Sequence, residues 1–154
     1  MPSRFATINR NIRLDFNHRV YFTRDSFSAT NETLADILQP KRKGLPTKAI
    51  VYLDEGILDG MPNLPEQIES YFRSREDRLD LVCPPKFAPG GEPAKNSFHH
   101  IEQIWSDLND HAMCRHSYVI VIGGGAALDM VGFAAATAHR GLRLVRSPAT
   151  SLSQ

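Results

Sequence analysis

Tyr118-Val119-Ile120-Val121-Ile122-Gly123-Gly124-Gly125-Ala126-Ala127-Leu128-Asp129 is the stretch that decides the fold. Its first five residues are aromatic or β-branched with no polar alternation, the pattern of a parallel strand buried on both faces. Three glycines then turn the chain into a helix expected from about Ala126 to Arg140, closed by Gly141 at the position after its last turn. Without Cβ atoms such a turn lets a ligand approach the backbone, and the helix that follows presents unpaired N–H groups to a phosphate. Gly123 and Gly125 fit the dinucleotide spacing, whereas its sixth position is Leu128, so a plain tight turn stays open as the alternative.

Working outward, Leu142–Val145 reads as a further strand. Upstream, Lys48–Leu53 is a nearly continuous apolar run ending in Asp54, a second buried parallel strand, and Leu79–Cys83 is a third, stopped by Pro84-Pro85. Helices are expected between them. One follows Asn31 or Thr30 with the face Leu34, Ile37 and Leu38. Another runs from Pro65 to about Arg75, and a third, capped by Ser97, shows Phe98, Ile101, Ile104, Trp105 and Leu108. Ile12–Phe16 and Val20–Thr23 alternate on either side of Asn17-His18-Arg19, so a β-hairpin is expected within residues 1–28. The whole predicts an α/β fold: a mainly parallel, Rossmann-like sheet flanked by helices, as a single dinucleotide-binding domain over 1–154.

Composition narrows the function. Eighteen Lys and Arg against seventeen Asp and Glu give a net charge of +1, which argues against a dedicated nucleic-acid binder. Lys41-Arg42-Lys43, followed by Gly-Leu-Pro, reads as a solvated loop. No run of eighteen apolar residues exists to cross a membrane, and the first ten residues lack the apolar core of a secretory signal, so a cytoplasmic location is expected. Cys83 and Cys114 make no disulfide framework and read as small, buried or partly buried residues. His99 and His100 point about 100° apart on a helix, and with His111 and His116 they read as surface residues rather than metal ligands. Trp105 reads as core. Asp129, four residues after Gly125, either faces a bound ligand or complements the helix dipole. Asp54 either accepts from a ribose hydroxyl or caps a turn. Arg140 has a local alternative too, as a charge at the helix C-terminus.

These residues together resemble the 3-dehydroquinate synthase family of sugar phosphate cyclases. Gly123–Gly125, Asp129, Gly132-Phe133-Ala134-Ala135, Arg140-Gly141, Pro148, Thr150, Leu152 and Gln154 follow that family's cofactor segment in order and spacing. Gly91-Glu92 followed by Lys95 resembles its Gly-Glu-x-x-Lys loop, and Asp54 the acid ending an early strand, so the likeness spans roughly residues 48–154. Leu128 in place of a usual glycine, which crowds the approach of helix to cofactor, marks a divergent branch. So do Ala149 and Ser151 for Thr and Leu, and Gly56 for a polar residue.

The resemblance implies NAD as cofactor. Asp54, Glu92 and Lys95 would lie around the adenosine, Gly123, Gly124 and Gly125 along the pyrophosphate, and Asp129, Thr150 and Leu152 towards the nicotinamide. Arg140 would reach the substrate across a homodimer interface. The implied reaction on a phosphorylated seven-carbon sugar or sugar acid is a transient oxidation, phosphate elimination, reduction and aldol ring closure, which leaves the cofactor unconsumed. The zinc or cobalt that assists it belongs to a C-terminal helical half expected to lie beyond Gln154, and the chain alone is expected to be inactive. Two other readings are an NAD-binding half of an iron-containing alcohol or glycerol dehydrogenase, and a non-catalytic dimerisation module. The Gly132–Ala135 run through Arg140-Gly141 favours the cyclase.

Overall fold

The structure, a computed structural model, describes residues 8–15, 17–39, 44–91 and 98–149. A short helix α1 (Thr33–Ile37) precedes strand β1 (Thr47–Asp54), helix α2 (Leu64–Arg73) and two three-residue strands, β2 (Leu79–Leu81) and β3 (Lys86–Ala88). Helix α3 (His99–Asp110), strand β4 (Tyr118–Gly123), helix α4 (Gly125–Thr137) and strand β5 (Arg143–Pro148) follow.

All strand pairings are parallel, in the order β2-β1-β4-β5 with β3 also on β1. β2 pairs with the start of β1 (Thr47↔Leu79) and β3 with its end (Tyr52↔Lys86), while β4 occupies the other edge. The two short strands are therefore one edge strand broken in the middle. Val82 still donates to the Ala49 carbonyl (3.1 Å), but Pro84 and Pro85 have no N–H to continue the ladder. By itself the Pro-, Gly- and Lys-rich run of residues 84–96 suggests a loop, and pairing with the end of β1 rather than local propensity makes β3 of Lys86–Ala88.

The buried runs behave as their composition requires. Ala49, Val51, Leu53, Ile120 and Ile122 face α1 and α2, packing on Leu34, Leu38, Ile68, Tyr71 and Phe72. The alternate residues Ile50, Tyr52, Val119 and Val121 face α3 and α4, packing on Ile104, Leu108, Leu128, Val131 and Ala135. Leu128, 2% exposed, is part of this layer, so it points under the helix rather than into the approach to the turn, contrary to the crowding expected of it. A Cβ at Gly132 would meet Leu144 at 3.3 Å, so the missing side chain lets α4 lie close on β5.

Four expectations are corrected. No strand forms at residues 8–15 or 17–23, where Ile12 is 80% and Phe22 96% exposed. An alternating pair of segments needs an apolar surface to cover, and a lone two-stranded hairpin is marginal in water. The last helix ends at Thr137, and the chain leaves it through an extended Ala138 and a corner at His139 and Arg140 with positive φ. Trp105 is half-buried, donating through Nε1 to the Ala134 carbonyl (3.1 Å) on α4. Cys114 is exposed, in a turn where its N–H donates to the Ser117 hydroxyl (3.1 Å). Ser97, the expected cap, and the Lys41–Lys43 cluster lie outside the described residues.

Candidate functional site: the glycine turn at the end of the sheet

The end of β1 and the end of β4 lie side by side, which brings Asp54 against the glycine turn. Its carboxylate works as a bracket. Oδ1 accepts from the Gly56 N–H (3.0 Å) and Oδ2 from the Gly124 N–H (3.0 Å). A Cβ at Gly123 or at Gly90 would sit on Asp54 well inside van der Waals contact, so both glycines are demanded by the acid rather than by a ligand. None of the three turn glycines has a positive φ. Close approach, not handedness, is what the turn uses.

Four amides at the head of a helix have no partner within it. Asp54 takes the one on Gly124, which leaves those of Gly125, Ala126 and Ala127 at the positive end of α4. Gly125 is exposed, and a Cβ built there meets nothing within 4 Å. A helix head with open space at Gly125, at the carboxyl end of a parallel sheet, fits a phosphate or pyrophosphate group, so the residues present suit the cofactor that the glycine pattern implies. The end of β5 borders the same turn, with the Ala149 N–H donating to the Gly123 carbonyl (3.0 Å).

Asp129 lies one helical turn beyond Gly125, on the exposed side of α4, and its Oδ1 accepts from Arg146 Nη2 on β5 (2.7 Å). Asp54, Gly123, Gly124, Gly125 and Asp129 are thus drawn to one end of the sheet. Arg140 is not. It sits at the far end of α4, thirteen residues or about 20 Å of helix away, in a corner where His139 and Arg140 (φ 46° and 71°) precede Gly141 (φ 95°) in the left-handed region. Glu92, Lys95, Thr150 and Leu152 lie outside the described residues.

Sequence reasoning missed a polar trio on the other flank of β1. Tyr52 Oη donates to Asp107 Oδ2 (3.1 Å) and Lys86 Nζ to Asp107 Oδ1 (2.6 Å), at the base of a cleft of about 790 Å³ that His100, Gln103 and His111 also line. Burial, then the Asp107 charge, push the Tyr52 phenol up, and the hydrogen bond to Asp107 raises Lys86. Burial raises the Cys83 thiol beside them. The trio satisfies itself and ties α3 to β1 and β3. Its signal is tertiary, since the three residues come from three elements.

Among the described residues no group of three or more His, Cys, Asp or Glu side chains could hold a metal ion. No helix among them is long and apolar enough to cross a membrane.

Comparison with known proteins agrees with this geometry. Residues 86–154, which include the whole glycine turn, match the family model described as 3-dehydroquinate synthase N-terminal. The 3-dehydroquinate synthase of Helicobacter pylori (strain J99 / ATCC 700824) is 35% identical over 111 residues, 71% of this chain and 29% of that enzyme. That of Shewanella frigidimarina (strain NCIMB 400) is 41% identical over 66 residues, 43% of this chain and 18% of the enzyme. The chain thus spans less than a third of the length of these relatives. Its fold is also that of 2-epi-5-epi-valiolone synthase from Streptomyces hygroscopicus subsp. jinggangensis, solved with NAD+ and Zn2+ bound. That likeness has a TM-score of 0.56 at 20% identity and covers 90% of this chain and 35% of that one. A 2-deoxy-scyllo-inosose synthase complexed with carbaglucose-6-phosphate, NAD+ and Co2+ gives a TM-score of 0.53 at 21% identity, covering 70% and 28%. Over residues 86–154 the chain thus matches the 3-dehydroquinate synthase family and corresponds to its N-terminal part.

Proposed function

We propose that this chain is the NAD-binding part of a 3-dehydroquinate synthase-like cyclase acting on a phosphorylated seven-carbon sugar or sugar acid. The observation that carries the reading is the head of α4, where Gly125 is exposed with open space around it while Asp54 braces the turn through the Gly124 N–H. The pyrophosphate lies on this helix head. Asp129 accepts from a hydroxyl on the nicotinamide side, where Thr150 and Leu152 complete the contact. Glu92 and Lys95 serve the adenosine end with Asp54, whose bracketing of Gly124 sets where that end begins. NAD, when bound, supplies reversible hydride transfer to and from a secondary carbinol carbon of the substrate. The chain's own residues bind and orient it. A divalent metal, the ring-closing steps and the remaining substrate contacts belong to a further part of the enzyme, so these 154 residues form one cofactor-binding domain without turnover of their own. Arg140, far from the turn in its own chain, serves the site of a second copy in a homodimer, in the cytoplasm.

Calorimetric titration of the chain with NAD tests this. Saturable binding with a dissociation constant of roughly 0.1–1 mM is expected, about −4 to −5.5 kcal/mol. Asp129→Ala should weaken it about tenfold, the size of a lost hydrogen bond to a charged group. Unchanged affinity in that variant would remove Asp129 from the site.

A further inference from the structure

Arg146 is the residue on which Asp129 depends. It stands on β5 opposite Val121 of β4, on the same face as Leu144, which touches Gly132 of α4. That face brings its guanidinium under the first turns of α4, where Nη2 holds Asp129 Oδ1 at 2.7 Å. The Asp129 side chain is otherwise open, 71% exposed, and its Oδ2 has no partner among the described residues. One oxygen is thus fixed and the other is left as an acceptor. The pairing also cancels a negative charge placed near amides that would receive a doubly negative pyrophosphate, where an uncompensated carboxylate repels the ligand.

We propose that Arg146 is a positioning residue for dinucleotide binding. It orients Asp129 and neutralises it, and makes no contact with the ligand itself. This rests on the reading of the glycine turn as an NAD site. The ion pair is exposed, so its effect is modest, up to about fivefold in affinity.

The test is a double-mutant cycle read by NAD titration of the 154-residue chain, with thermal melts confirming that each variant folds. Arg146→Ala should weaken NAD binding about threefold, Arg146→Lys should restore most of it, and Arg146→Ala should have no effect once Asp129 is already Ala. Equal loss from Arg146→Ala in both backgrounds would mean that Arg146 touches the ligand directly, and would overturn the proposal. So would full affinity in Arg146→Ala alongside a clear loss in Asp129→Ala, an outcome that spares the NAD site. Absence of NAD binding in the parent chain would bring down both readings together, whereas an Asp129→Ala chain that binds as well as the parent would overturn this proposal and leave the glycine turn as the NAD site.

Discussion

Three consecutive glycines invite one explanation, yet the structure separates them. Gly123 is held to glycine by Asp54, whereas Gly125 is exposed with room for a side chain, at the helix head proposed to take the phosphate. The two positions should therefore answer differently to the same substitution. Gly123→Ala pushes Asp54 off its bracket and should lower stability by about 1–3 kcal/mol, the range for overpacking a tight contact. Gly125→Ala should raise the melting temperature slightly, since alanine is favoured over glycine by up to about 1 kcal/mol inside a helix, while weakening NAD binding. Thermal melts and titrations on the same two proteins check both halves. Asp54 was legible as an acid at a strand end, but its bracketing role depends on Gly90, in a distant loop, and no local pattern carries that. The Arg146–Asp129 pair was hidden for the same reason, as it joins a strand to a helix face.

At the scale of elements, the readable parts were those whose burial is written in their own composition. β1 and β4 are apolar on both faces, and α2 and α3 show their stripes at helical spacing. β3 was not readable, because three residues between prolines become a strand only through the end of β1. Nor was the attachment of α1 readable. Tyr71 of α2 donates to the Asn31 carbonyl (3.0 Å) and accepts from the Ala35 N–H (3.1 Å), while Arg75 stacks on its ring at 4.0 Å and pairs with Glu32. Hydrogen bonds from Arg75 and Arg78 hold the Glu32 carboxyl below its ordinary value of 4.5. A carboxyl lowered by folding contributes stability that is fully present above 4.5 and lost as pH falls through the folded-state value. Glu32→Gln should thus lower the melting temperature at pH 7, and the gap to the parent chain should close on acidification below 4.5. A gap that persists unchanged at low pH would show that Glu32 acts through shape and not charge.

Across the whole molecule, the sheet has one chemical end. Asp54, the glycine turn, Asp129 and the end of β5 gather at the carboxyl termini of the strands, whereas Arg140 stands at the opposite end of α4. Arg140→Ala should accordingly leave NAD affinity within about twofold of the parent, because some 20 Å of helix separates it from the turn. A large loss there would mean that a second copy brings Arg140 to the cofactor itself. The cleft over Tyr52, Asp107 and Lys86 is the rival location for a ligand, and it lies on another flank with its polar groups already paired. Mapping NAD on the isotope-labelled chain by amide chemical-shift perturbation decides between the two. Saturable shifts are expected at Gly124–Leu128 and at Ser147–Ala149, with the amides of His100–His111 unmoved. Shifts gathered around His100–His111 and Lys86, with the glycine turn silent, would contradict an NAD site at that turn.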